Sequence, residues 1–151
     1  MKFFKIFLAL FLIFAISSCN KAKGADLNDT YAKIDKAGVL PLMVSVSKDD
    51  IENLYGINTD DLKQYVFKIA VEGTLADEVV LIEVKDSSKV SEIEKRLQTR
   101  LDNKAEEAKS YSPEQYAIIM KSSVETKGNY VSIIVSPNAP ELIDIYNSNF
   151  K

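Results

Sequence analysis

The run Glu78 to Lys85, EVVLIEVK, constrains the fold more than any other stretch of this chain. Val80, Leu81 and Ile82 are apolar in succession, so a strand made from them is apolar on both faces and belongs inside a sheet. Directly after it, Val90, Ile93, Leu97, Leu101, Ala105 and Ala108 advance in steps of three or four residues. That spacing draws a single stripe along a helix of about 88–109 and demands a flat apolar surface for it to cover. Glu92, Glu94, Lys95, Arg96, Arg100, Glu106 and Glu107 fill the rest of the helix. With both signs interleaved, they read as a solvated face.

The elements on either side follow from turn and cap chemistry. Leu27, Tyr31 and Ile34 recur at helical spacing and Gly38 follows them, which predicts a helix near 27–37. Val39 to Val46 is apolar and extended, with Pro41 opposing a helix. Ser47 with Asp50 starts a short helix that Gly56 ends, and Thr59-Asp60-Asp61 reads as a turn or cap. Tyr65, Phe67, Ile69 and Val71 alternate with more polar neighbours, predicting a strand with one strongly apolar face that pairs antiparallel with EVVLIEVK. Ser112, Pro113 and Gln115 open a helix over 113–121 that buries Tyr116, Ile119 and Met120. Val124 to Thr126 and Val131 to Val135 form a tight hairpin about Gly128-Asn129, and a last helix turns Leu142, Ile145, Tyr146 and Phe150 inward.

Strand-strand-helix-helix-strand-strand-helix is not an alternating βαβ pattern. It predicts an α+β fold: a four-stranded, mostly antiparallel sheet with the long helix packed on one face, plus short N- and C-terminal helices.

The start of the chain carries an address. Lys2 and Lys5 precede an unbroken apolar run of 11 residues, Ile6 to Ile16, which has the length of a secretory signal and is too short to span a bilayer. It ends Ile16-Ser17-Ser18-Cys19, which resembles the lipobox of bacterial lipoproteins. Residues 1–18 therefore read as a lipoprotein signal peptide and Cys19 as the lipidation site. Residues 19–25 read as a lipid-anchored tether, and 26–151 as a single α+β globular domain. Asn20 to Ala25 reaches about 20 Å when fully extended, and Lys21 and Lys23 would sit near anionic headgroups. From Asp26 onward, 15 basic residues face 22 acidic ones, a formal charge of −7. A basic stalk thus holds an acidic body off the bilayer.

Composition closes off several chemistries. The chain has no histidine, and Cys19 is its one cysteine. Ser-His-Asp and Cys-His catalysis, structural zinc and disulfides are excluded together. Five scattered glycines form no phosphate-cradling loop. The acidic balance, without a basic cluster, argues against nucleic acid. We expect no cofactor, no metal site and no catalytic residue. Asp49-Asp50 and Asp60-Asp61 read as caps and lack calcium-loop spacing.

Two places could serve a partner. Asp77 and Glu78 stand at a loop-strand junction, a usual place for functional carboxylates. Adjacent residues of an extended chain point to opposite faces, however, and the plainer reading is a solvated loop end. Lys127, Asn129 and Tyr130 surround the hairpin tip, where an amine and a ring could grip a partner; the turn itself accounts for Gly128 and Asn129.

Four stretches carry a resemblance: Leu54-Tyr55-Gly56-Ile57, Ala76-Asp77-Glu78-Val79, Pro113-Glu114-Gln115-Tyr116 and Lys127-Gly128-Asn129-Tyr130-Val131. In this order, with a lipobox in front, they resemble the bacterial lipoproteins grouped as domain of unknown function 4358. The resemblance implies a small membrane-anchored protein of Gram-positive bacteria and brings no activity or ligand with it. The expectation is an extracytoplasmic, membrane-anchored lipoprotein, a non-catalytic binding or accessory module for an envelope protein. The alternatives are a carboxylate-dependent, glycan-active envelope enzyme and a small solute-binding lipoprotein.

Overall fold

Strands β2 (Leu62–Ala70), β3 (Glu78–Val84) and β5 (Tyr130–Val135) are the centre of one antiparallel sheet, flanked by the three-residue strands β1 (Met43–Ser45) and β4 (Glu125–Lys127). These elements come from a computed structural model that describes residues 24–150. The spatial order is β1-β2-β3-β5-β4, so the doubly apolar strand takes the middle. Every residue of β3 and of β5 is buried. The sheet has five strands, one more than the sequence pattern predicts. The extra strand is part of the extended stretch before Ser47. Met43, Val44 and Ser45 pair with Ala70, Ile69 and Lys68, and Pro41 next to them keeps the stretch out of a helix.

Helices cover both faces. Helix α3 (Val90–Tyr111) lays Ile93, Leu97, Leu101, Ala105 and Ala108 on Val80, Ile82, Val84, Val131, Ile133 and Val135. Helices α2 (Lys48–Tyr55) and α4 (Pro113–Ile119) complete that layer. On the other face, α1 (Leu27–Lys36) and α5 (Ala139–Ser148) bring Leu27, Ile34, Leu142 and Tyr146 onto Val66, Val79, Leu81 and Ile134. β3 therefore divides two cores, and its alternation sorts Val79 and Leu81 into one and Val80 and Ile82 into the other.

Local chemistry agrees with the predicted boundaries. Ser47 accepts from the Asp50 amide and Ser112 from the Gln115 amide, with Pro113 in the first turn. Gly128 has φ +60° with no positive φ at Asn129, the pattern of a two-residue hairpin turn that admits glycine at its first position.

Three packing expectations are corrected. The Tyr65–Val71 face of β2 is not uniformly apolar-in: Phe67 is buried, while Tyr65 and Val71 are exposed. Val71 follows the last residue of β2, which ends at Ala70. Met120 is exposed because α4 ends at Ile119 and the chain turns away. Arg100, assigned to the solvated face of α3, turns inward to a buried carboxylate.

Candidate functional site

Asp77 and Glu78 do not form a solvated loop end: both are buried, and Glu78 is fully enclosed. β3 begins at Glu78, so its side chain leaves the sheet on the α3 face. There Arg100 and Lys104, one helical turn apart, come down onto it. Arg100 donates from Nε to Oε1 at 3.2 Å and from Nη2 to Oε2 at 3.0 Å, while Lys104 Nζ donates to Oε2 at 2.5 Å. The Arg100 guanidinium lies 5.1 Å from the Tyr55 ring centroid, and that ring packs edge-on against Phe67 at 4.9 Å. The Tyr55 hydroxyl is buried without a hydrogen-bond partner among the described residues.

The charge states follow from these contacts. Burial pushes the Glu78 carboxyl up, but Lys104 and Arg100 together outweigh it and hold the carboxyl below its usual range. Lys104 is drawn below the ordinary lysine value, chiefly by burial, with Arg100 adding to the fall against the pull of Glu78. Asp77 shifts the opposite way from Glu78: burial raises it, and the Ser136 hydroxyl and Lys104 only partly compensate. Asp77, Arg100 and Lys104 border an open pocket of about 140 Å³ that Ile69, Leu75 and Tyr111 also line.

The second predicted place lies at the other end of β3, where Glu83 pairs with Tyr130. A bulge at Lys63 sets Gln64, rather than Lys63, opposite Glu83. Glu83 accepts from Lys63 at 2.9 Å and from Gln64 at 2.6 Å. Gln64 also ties down the start of the described chain, donating to the Ala25 carbonyl and accepting from the Leu27 amide. Lys127, Asn129 and Tyr130 do come together here. They line a pocket of about 550 Å³ with Gly24, Lys63, Glu83 and Phe150, and the Lys127 ammonium lies 4.7 Å from the Phe150 ring centroid.

The two places stay apart. Five residue steps along β3 separate Glu78 from Glu83, about 17 Å of strand, and the two carboxylates leave opposite faces of the sheet. Cys19 lies outside the described residues. Among the described residues no group of three or more His, Cys, Asp or Glu is placed to hold a metal ion, and no helix is long and apolar enough to cross a membrane.

A family model described as Domain of unknown function (DUF4358) matches residues 22–136, most of the chain. The chain belongs to that family. No curated protein and no solved structure matches it. Within this family member, three of the four motif stretches meet at the Glu78 end. Tyr55 packs under Arg100, Ala76 to Val79 holds the carboxylates, and Gln115 Oε1 accepts from the Ala76 amide at 2.7 Å. The fourth stretch supplies the hairpin tip. The DUF4358 match ends at Ser136, so α5 and the Phe150 wall of the tip pocket lie beyond it.

Sequence reasoning missed Arg100, Lys104, Lys63, Gln64 and Glu83. The signal for the first two was present: they stand four apart, each just before a buried member of the α3 stripe, Leu101 or Ala105. Helical geometry puts such residues on the shoulder of the buried face. Nothing local marks the bulge at Lys63.

Proposed function

We propose that this protein is a membrane-anchored, extracytoplasmic lipoprotein that acts as a non-catalytic module binding another envelope protein. Ile16-Ser17-Ser18-Cys19, behind a basic start and an apolar run, supports the anchor. The enclosed carboxylate supports a structural use of the charged groups. Glu78 takes up both Arg100 and Lys104, joining β3 to α3 and leaving neither cation uncommitted.

The observation that carries the binding reading is an exposed apolar strip at the β1 side of the sheet. Leu42 is 77% exposed, Val71 56% and Tyr111 59%. The Val71 amide donates to the Leu42 carbonyl, Val44 pairs with the half-buried Ile69, and Ile69 and Tyr111 share the Asp77 pocket. These side chains are therefore neighbours, and a contiguous apolar patch on a folded surface is the usual mark of a protein contact.

Photo-crosslinkers placed at Leu42, Val71 and Tyr111 in intact cells test this. The same protein should be captured from all three positions and from none on the outer face of α3, such as Thr99, and Val71→Asp should abolish capture. No reproducible adduct, or equal adducts from Thr99, would contradict it.

A further inference from the structure

We propose that the end of the molecule carrying the β4–β5 hairpin is a second membrane contact, resting directly on the headgroups of an anionic bilayer. The proposal depends on the lipidated Cys19 of the reading above. From Cys19 to Gly24 the chain has five residue steps, which span at most about 17 Å. Gly24 itself lines the tip pocket, beside Lys63, Lys127, Asn129, Tyr130 and Phe150. A thioether in the outer leaflet thus brings this end within reach of the headgroups. The Asp77 end lies a full sheet length away, since β2 alone runs nine residues, roughly 27 Å between its first and last.

Charge selects the same end. The body from Asp26 carries a formal −7, so most of its surface is repelled by an anionic bilayer. At the tip, the Lys127 ammonium is exposed over the Phe150 ring, and among the described residues no carboxylate pairs with it. Lys21 and Lys23 precede it in the tether. The carboxylate facing this pocket, Glu83, is held by Lys63 and Gln64 and buried beneath them. Asp26 is turned to the Asp29 amide as the cap of α1, and Glu125, two residues before Lys127 on β4, is exposed and accepts from the Ser123 hydroxyl at 3.0 Å. The tip therefore offers a phosphodiester an amine with an aromatic base, while Glu83 and Asp26 are engaged within the protein. Held this way, the body points its apolar strip away from the lipid.

The experiment uses the full chain purified from membranes and reconstituted into vesicles. Asn129→Cys, at the tip, and Thr74→Cys, at the far end, each carry an environment-sensitive dye, and quenchers sit on the lipids. If Cys19 is a thioether, each protein takes up one dye. In vesicles of phosphatidylcholine with phosphatidylglycerol, quenching at position 129 should exceed that at 74 several-fold. Lys127→Gln should weaken the contact about fivefold, as expected for one lysine near such a surface, and high salt should weaken it further. Equal quenching at the two positions, or quenching at 129 that ignores lipid charge, would overturn the surface while leaving the anchor intact. Two labelled thiols per chain would overturn the anchor reading and this proposal with it.

Discussion

Glu78 is the residue on which the α3 layer is fastened, and its environment makes predictions of sign as well as size. Glu78→Gln leaves Arg100 and Lys104 buried without a counter-charge. Breaking a buried pair from one side typically costs about 3–5 kcal/mol, and urea unfolding should read a loss of that size at neutral pH. Because the folded carboxyl titrates below its usual range, its contribution is complete above that range. It is lost as pH falls through the folded value. Asp77 has the opposite sign, since burial raises its folded value and the native state loses stability as pH rises through that window. Measured at a series of pH values, Glu78→Gln should show a shallower acid decline than the parent, and Asp77→Asn a steeper one. The two cations should also differ. Arg100 makes two hydrogen bonds and stacks on Tyr55, whereas the charge on Lys104 is held against a burial penalty. Arg100→Met should therefore destabilise more than Lys104→Met.

At the scale of elements, caps and turns carry the boundaries. Ser112→Ala removes the acceptor of the Gln115 amide and should cost about 1 kcal/mol. Gly56, with φ +65°, ends α2, and a Cβ there would stand 3.2 Å from Arg96 Nη1. Gly56→Ala should cost about 1–2 kcal/mol from the left-handed backbone alone, checked by thermal unfolding. These same signals made most of the fold legible in the sequence. The α3 stripe, the Ser47 and Ser112 caps and the Gly128 turn each rest on interactions within a few residues. What local pattern could not provide was the fifth strand. Three residues beside Pro41 have too short a period to read, and they become a strand only because β2 offers them an edge. The same limit applied to the sites. Lys127, Asn129 and Tyr130 lie within one turn and were found together. Glu78, the Arg100–Lys104 pair and Tyr55 come from three elements that only the packed sheet assembles, so Asp77-Glu78 read as a solvated junction.

For the whole molecule, covering the sheet on both faces has a functional consequence. The large faces are occupied by helices, so what remains for contact is the ends and the two edge strands, β1 and β4. One end receives the chain at Gly24 and holds Lys127 and Phe150; the other holds Asp77 beside the exposed Leu42, Val71 and Tyr111. Under the proposed lipid anchor, a body tethered by one end and apolar near the other would present a surface at a fixed short distance from a bilayer. That arrangement has meaning only if Cys19 carries lipid. Intact-mass spectrometry of the protein extracted from the membrane fraction is the most direct test. The account predicts a chain lacking residues 1–18, with the mass of a diacylglyceryl group on Cys19. An unmodified Cys19 on a chain recovered from the soluble fraction would contradict it.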